Sequence, residues 1–225
     1  PVGRVLALML ARVAPDPARI ALLAGASPAP VTPAAAIPVA DPRVLAMNHG
    51  SRVLLESLNA WPAKAADILN IHVSQRGRLG RSVIQHTDFD VPQLGCVVAY
   101  SALHAKLEER VAASGVTLLS GPPAQIDGQD GDGVRISQGD TALSCRIAVQ
   151  SDGAGASDLR RDYGQHALLT TVHATLPRRG WAWERFTAEG PLALLPHPQL
   201  PDAYSVVWCS ACLLYTSPSP RDATL

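Results

Sequence analysis

Hydrophobic positions along the chain predict a β-rich protein that opens with an α/β unit. Apolar residues recur at helical spacing in "GRVLALMLAR" (3–12), which predicts a first helix. The run "ARIALLAGA" (18–26) is short, apolar and bounded by Pro and Gly, as a buried parallel strand would be. A helix followed by such a strand is typical of nucleotide-binding α/β domains.

The segment "DPRVLAMNHGSRVLLESLNAWP" (41–62) predicts two consecutive helices. Asp41 is a candidate N-cap, and Pro42 would occupy the first helical position. Residues 48–50 interrupt the pattern, and Ser51 is a candidate cap for the second helix.

A further helix is predicted over "ALHAKLEERVAAS" (102–114), with Ser101 as its cap. Leu103, Leu107 and Val111 share one face of this helix, so that face should be buried. Gly115 directly follows and is expected to end the helix.

Two blocks of predicted strands lie on either side of this helix. "ILNIHVSQ" (68–75) and "RSVIQHTD" (81–88) predict a hairpin across "RGRLG", and "LGCVVAY" (94–100) predicts a further strand. Four strands are predicted between 116 and 153, the last being "TALSCRIAVQSDG", and four more between 165 and 208. We expect residues 67–90 and 165–209 to share one sheet, and the helix at 102–114 to lie beside the first helix.

Composition excludes several classes of function. Formal net charge is zero without a basic block, and aromatic residues make up 4% of the chain, so nucleic acid is not an expected partner. No apolar run reaches the ~18–20 residues that a membrane span needs. Four cysteines indicate a reduced, cytosolic protein, and the scattered histidines predict no metal site.

The stretch "WCSAC" (208–212) has the spacing of a thioredoxin-type dithiol, but the second cysteine falls in a foreign-looking tail. Residues 212–225, "CLLYTSPSPRDATL", can be read as the translation of a transposase adapter used for DNA sequencing libraries. We therefore expect Cys209 to be native, Cys212 to be an artefact, and the tail to pack on nothing.

Four stretches carry a resemblance to a known family: "PVG" (1–3), "DPRVLAMNHGSRVLLESLNAW" (41–61), "SDGAGASDLRR" (151–161), and "WERFTAEGPLALLP" with "YSVVW" (183–208). They resemble the aromatic-ring flavoprotein monooxygenases, the p-hydroxybenzoate-hydroxylase-like group. Within that group they are similar to the ubiquinone-biosynthesis hydroxylases of the 2-polyprenyl-6-methoxyphenol hydroxylase type. The fourth stretch is the most specific.

The resemblance implies an α/β fold in which a Rossmann-like FAD-binding domain, residues 1–66 and 91–164, is interleaved with a substrate domain. An antiparallel β-sheet built from 67–90 and 165–211 would form that second domain. The resemblance also implies that FAD, reduced by NAD(P)H, reacts with oxygen and that a prenylated phenol is hydroxylated. Such a protein would be cytoplasmic and bacterial, with peripheral association with the inner membrane or with a ubiquinone-synthesis complex.

Four residues are carried over from the family as cofactor-binding candidates, and none is assigned as catalytic. Gly3 would lie under the FAD pyrophosphate, Arg43 would contact the FAD, and Asp152 and Gly153 would touch nucleotide groups of FAD and NAD(P)H. Ala24 stands where the family has a ribose-binding acid.

The family's first strand, its first two glycines and its downstream G-D motif are not found, so the chain is expected to be incomplete at both ends. Ser157 also lies one residue later than the family pattern places it. Two other functions stay open: another aromatic hydroxylase of the same group, and a non-catalytic nucleotide-binding or interaction module.

Overall fold

The computed structural model describes residues 1–25, 41–151, 153 and 163–211. The helices in this part of the chain are α1 (Val2–Ala11), α2 (His49–Ser57) and α3 (Tyr100–Ala112), with 3-10 turns at Pro17–Arg19 and His86–Phe89. The strands are β1 (Ala21–Gly25), β2 (Val44–Asn48), β3 (Ala66–Ile68), β4 (Asn70–Gln75), β5 (Arg81–Gln85), β6 (Gly95–Ala99), β7 (Thr117–Gly121), β8 (Gln125–Asp130), β9 (Gly133–Gln138), β10 (Thr141–Cys145), β11 (His166–His173), β12 (Trp181–Phe186), β13 (Pro191–Pro196) and β14 (Ala203–Ser210).

The chain divides into two compact units whose segments alternate along the sequence. The first unit comprises Pro1–Val39, Leu54–Trp61 and Ala102–Asp158. The second comprises Ala40–Val53, Pro62–Ser101 and Leu159–Leu225. The functional domain bounds that the resemblance implies remain a prediction.

The first unit contains a parallel pair of strands, β1 and β7, and an antiparallel sheet in the order β10-β9-β8. As predicted, the apolar face of α3 is buried: Leu103, Leu107 and Val111 are all at most 2% exposed. Gly115 has φ +79 beyond the end of α3, which fits its predicted role as the stop. Arg4 of α1 bonds the His104 ring of α3 at 2.8 Å, so these helices lie side by side as expected.

The second unit contains a six-stranded sheet in the order β11-β14-β13-β12-β4-β5. The prediction that 67–90 and 165–209 share one sheet is thus confirmed, and β4 and β12 join the two blocks as parallel neighbours. A smaller antiparallel sheet, β2-β6-β3, contributes to the same core. That core centres on the buried side chains Ile68, Val97 and Ala182.

The helix predicted to begin at Asp41 is wrong, because Val44–Asn48 is strand β2. Its backbone pairs along its whole length with β6, placing Met47 opposite Cys96. The Asp41 carboxylate accepts the Arg43 backbone N–H at 3.0 Å, as an N-cap would, but no helix follows it. Non-local pairing has overridden a locally plausible helix signal.

Two helix starts lie earlier than predicted. Asn48 rather than Ser51 caps α2, since its side-chain oxygen accepts the Ser51 N–H at 2.8 Å. Helix α3 begins at Tyr100, which places Ser101 inside its first turn instead of at the cap.

The long strand predicted to run into Asp152 is also wrong. Strand β10 ends at Cys145, and Ile147 and Val149 are 79% and 60% exposed. None of the strand pairings among the described residues includes 146–151. Residues 146–151 have the alternating apolar pattern of a strand, but they are irregular because no neighbouring strand among the described residues pairs with them.

The tail predicted to be adapter sequence, 212–225, lies outside the described residues. Cys209 sits within β14 opposite Ala167 and has a free thiol. That Cys209 is native and Cys212 belongs to an adapter remains a prediction.

Candidate functional site

Gly3 lies in the first turn of α1, directly against the segment that leads to Asp152. A Cβ at Gly3 would collide with the Ser151 hydroxyl and would lie 3.7 Å from a Leu22 methyl. Glycine here permits close packing of the helix start against the Ser151 side chain, and close helix–strand packing is one of the roles of glycine in dinucleotide folds. No side chain caps α1, so its first N–H groups keep their capacity for an acceptor.

Gly3 therefore packs against Ser151, the residue directly before the predicted Asp-Gly pair. Asp152 itself lies outside the described residues. Gly153 has φ +72, and a Cβ there would meet nothing within 4 Å, so conformation rather than crowding favours glycine at this position. The uncapped amides of α1 can donate to an anion, and the role of Gly3, Asp152 and Gly153 in holding FAD stays a prediction.

Ala24, which replaces the expected ribose acid, lies near the end of β1. Its carbonyl accepts a 3.2 Å hydrogen bond from the Gln138 carboxamide, and the same amide nitrogen reaches the Pro122 carbonyl at 3.0 Å. The position is therefore tied into the first unit by its backbone, and its side chain offers no acceptor for a ribose.

Arg43 is held in a fixed orientation by two neighbours in the second unit. Its guanidinium makes a two-pronged ion pair with Asp41, with Nε–Oδ1 at 2.8 Å and Nη2–Oδ2 at 2.7 Å. The same group lies over the Tyr100 ring, 4.1 Å from its centroid. The side chain stays 56% exposed, and its Nη1 faces no partner in this clamp.

The clamp changes the acid–base properties of both partners. The hydrogen bond from Arg43 lowers the pKa of Asp41, and the same bond raises the pKa of Arg43. The pair therefore stays ionised at neutral pH, with one edge of the guanidinium available to an anion. The sequence did not reveal Tyr100, whose only signal is its place directly after a buried strand.

A cleft of about 480 Å³ opens at one end of the six-stranded sheet. Its walls come from the start of the sheet and from the loops before β12 and β14. The polar and charged residues that line it include Asp67, Arg178, Arg179, His197 and Tyr204. The Tyr204 hydroxyl accepts the Arg178 N–H at 2.7 Å and donates to the Arg178 carbonyl at 3.0 Å. Arg178 in turn lies 5.1 Å from the Trp181 ring centroid, so the cationic wall is anchored at both ends.

His197 is the neutral donor of this cleft. Its Nδ1 accepts the backbone N–H groups of Gln199 and Leu200, both at 3.1 Å. An acceptor at Nδ1 places the proton on Nε2, which remains to donate. Burial, and then the charge of His173, lower the pKa of His197 from its ordinary 6.5.

His197 should make stability fall on acidification. Because its pKa is lower in the folded protein, the unfolded chain takes up the proton first as pH falls below about 6.5, and folding stability is lost from there downwards. We expect the urea midpoint to drop between about pH 7 and pH 5, and His197→Asn to flatten that drop. Asn keeps an acceptor near the Nδ1 position, so an unchanged pH slope in this variant would contradict the assignment.

Neither a metal cluster nor a membrane-spanning helix is found among the described residues. Within 1–25, 41–151, 153 and 163–211, no three His, Cys, Asp or Glu side chains gather closely enough to hold a metal ion. In the same part of the chain, no helix is long and apolar enough to cross a bilayer.

Comparison with known proteins relates the chain to hydroxylases of ubiquinone biosynthesis. It is 26% identical over 196 residues to the mouse mitochondrial ubiquinone biosynthesis monooxygenase COQ6, covering 75% of this chain and 40% of that protein. It is 27% identical over 172 residues to the 3-demethoxyubiquinol 3-hydroxylase of Escherichia coli K12, covering 69% and 43%. The chain thus spans about two fifths of the length of the curated relatives it matches. No family model matches it.

Solved structures share the fold at low sequence identity. PqsL of Pseudomonas aeruginosa, described as "a probable FAD-dependent monooxygenase", superposes with a TM-score of 0.66 at 16% identity, covering 93% of this chain and 58% of PqsL. The tetrameric 2-methyl-3-hydroxypyridine-5-carboxylic acid oxygenase superposes with a TM-score of 0.60 at 15% identity, covering 95% and 57%. The chain is thus similar in sequence to hydroxylases of ubiquinone biosynthesis, and it shares its fold with a probable FAD-dependent monooxygenase and an aromatic acid oxygenase of known structure.

Proposed function

We propose that the chain is part of an FAD-dependent monooxygenase that uses NAD(P)H and oxygen to hydroxylate a prenylated phenol in ubiquinone biosynthesis. The observation that carries this proposal is the packing of Gly3 against Ser151, since both residues belong to stretches that resemble nucleotide-binding motifs of the family. The sequence relationship to ubiquinone hydroxylases supports the substrate class. A cytoplasmic bacterial protein at the inner membrane, or in a ubiquinone-synthesis complex, would meet such a substrate.

In this proposal the cofactor is held by Gly3, Arg43, Asp152 and Gly153. Gly3 and the uncapped amides of α1 would receive the pyrophosphate, and the clamped Arg43 guanidinium would supply a positioned cation. When bound and reduced, FAD supplies the activation of oxygen. We likewise propose the domain division 1–66 with 91–164 for the cofactor and 67–90 with 165–211 for the substrate.

The cleft of the second unit would bind the aromatic substrate. The His197 Nε2–H would donate to the phenolic oxygen, and the field of Arg178 and Arg179 would favour that oxygen in its ionised form. Ionisation of a phenol raises the electron density of its ring, which makes the ring a better target for an electrophilic oxygen. A neutral His197 suits this role because its Nε2–H donates the hydrogen bond while its Nδ1 stays unprotonated and accepts from the loop amides.

A second substrate class, an aromatic acid, is favoured by the charge of the same cleft. Arg178 and Arg179 contribute two cations, whereas the carboxylate of Asp67 is paired with Arg52 at 2.8 Å. PqsL has been solved in complex with 2-aminobenzoylacetate, and the pyridine oxygenase is named for a carboxylic acid. A carboxylate would pair with the arginine wall in the manner of other anions.

A substrate panel distinguishes these classes in the longer protein that the sequence predicts. NAD(P)H oxidation and hydroxylated product are measured with a prenylated phenol, a short hydrophilic phenol and an aromatic acid. Our proposal expects the prenylated phenol to give the most product per NAD(P)H consumed. Product from the aromatic acid alone would replace the ubiquinone assignment by the second class.

Asp152→Ala should slow NAD(P)H oxidation and weaken FAD binding without changing the unfolding midpoint, because the expected role of Asp152 is contact with the nucleotide.

A further inference from the structure

The hairpin between β4 and β5 ends in a protruding tip, Arg76–Arg81 ("RGRLGR"), which we call the arginine tip. Leu79 at its end is as exposed as in an extended peptide, at 108%. A Cβ added at either Gly77 or Gly80 would meet no atom within 4 Å, so the tip stands clear of the rest of its unit. A leucine in this position gains nothing from the fold of the described residues.

The arginine tip carries excess positive charge. Arg76 pairs with Glu189 at 3.5 Å, whereas the side chains of Arg78 and Arg81 have no hydrogen bond or ion pair among the residues that the structure describes. Of the three guanidinium groups of the tip, one is paired with a carboxylate among the described residues. The exposed, 44% accessible ring of Phe186 adjoins the tip, since its backbone carbonyl accepts the Arg76 N–H at 2.8 Å.

We propose that the arginine tip docks on an anionic lipid surface. Leu79 would enter the boundary between headgroups and acyl chains, with the guanidinium groups of Arg78 and Arg81 at the lipid phosphates. A convex tip with one apolar residue between cations offers little area to a protein partner, which needs a broad complementary surface. The same tip needs no complementary shape in a fluid membrane. The inference deepens the proposed membrane association and rests on it, whereas its test needs neither cofactor nor enzymatic activity.

A single leucine with two unpaired arginines gives weak and reversible binding. Stable anchoring of a peripheral protein takes two membrane signals, and the tip supplies one of modest strength. Such contact suits a protein that must visit a membrane without residing in it.

Vesicle sedimentation of the 225-residue chain tests the proposal directly, since no cofactor is needed. The probes are vesicles of phosphatidylglycerol and phosphatidylcholine in equal parts and vesicles of phosphatidylcholine alone. We expect binding to the mixed vesicles that weakens as salt is added. Neutralising both arginines, Arg78→Gln with Arg81→Gln, should lower the partition coefficient by about 25-fold, from roughly 5-fold for each charge. Leu79→Ser should lower it by about tenfold.

The chain offers a matched control at the other end of the same sheet. Leu176 is 89% exposed, as Leu79 is in the tip, so Leu176→Ser removes an exposed leucine from another place. This variant should bind vesicles like the unchanged chain, and circular dichroism should show that all variants are folded. Equal loss in control and tip variants, no preference for anionic lipid, or binding to an acidic protein in place of vesicles would each overturn the proposal.

Discussion

Replacing Gly190 by alanine should destabilise the protein by about 3 kcal/mol or more, because two separate costs fall on one residue. Gly190 has φ +146, which side-chain-bearing residues rarely adopt, and a Cβ there would collide with the backbone carbonyl of Cys209. A backbone atom in the central part of a sheet cannot move aside as a flexible side chain can. Urea unfolding of the variant and the unchanged chain measures the difference.

Two other glycines separate those costs. Gly77 has φ +73 with open space around it, so Gly77→Ala should cost only about 1 kcal/mol, from backbone strain alone. Gly80 has neither a positive φ in that range nor a neighbour, and Gly80→Ala should stay within about 0.5 kcal/mol of the unchanged chain. A Gly190→Ala variant no less stable than Gly77→Ala would show that the crowding against Cys209 is relieved without cost.

Gly190 also explains the most specific of the sequence motifs. Thr187 donates its hydroxyl to the Gly190 carbonyl at 2.8 Å and accepts the Gly190 N–H at 3.2 Å, closing the turn from β12 to β13. The Thr and Gly of "WERFTAEGPLALLP" therefore build a turn of the sheet. Within this motif the described contacts of these two residues are structural.

The sequence predicted well those elements whose signals are local. The apolar stripe of α3 repeats at helical spacing, and the β4–β5 hairpin has alternating strands on each side of a Gly-rich turn. The start of the segment 41–62 was misread as a helix, because Val44–Asn48 is a strand only through its pairing with β6, about fifty residues further along the chain. Residues 146–151 were misread for the converse reason, an apolar pattern without a pairing strand among the described residues.

The site was predictable only where a motif marked it. Gly3 and the Asp152–Gly153 pair are candidates from the sequence, and the structure adds that Gly3 packs against Ser151, the residue before Asp152. The clamp on Arg43 joins residues 41, 43 and 100, and the tautomer of His197 depends on two loop amides. The contact of Arg43 with Tyr100 joins residues that are far apart in the sequence, and the hydrogen bonds to His197 depend on the conformation of a loop. Neither can be inferred from the spacing of residues along the chain.

Arg43→Ala should weaken FAD binding by the longer protein by about 10- to 100-fold. A hydrogen-bonded contact between a guanidinium and a charged group is worth about 1.5–3 kcal/mol, and the clamp by Asp41 and Tyr100 means little ordering is needed on binding. Fluorescence titration of the apoprotein with FAD measures the change.

Arg135 provides the matched control for this variant. It is also exposed and paired with a nearby acid, Asp130, at 2.6 Å, but it lies in the β8–β9 hairpin away from every predicted cofactor residue in sequence. Arg135→Ala should leave FAD affinity unchanged. Equal losses in both variants would indicate a general effect of removing positive charge and would remove Arg43 from the site.

The most direct measurement of the central claim is the visible absorption spectrum of the longer protein. That protein is expressed from the source DNA without residues 212–225 and then purified. The account predicts a yellow protein with the two absorption bands of bound oxidised flavin, bleached by NAD(P)H under anaerobic conditions and restored by oxygen. A folded, colourless protein that takes up no FAD on reconstitution would contradict the account, and the non-catalytic nucleotide-binding or interaction module would take its place.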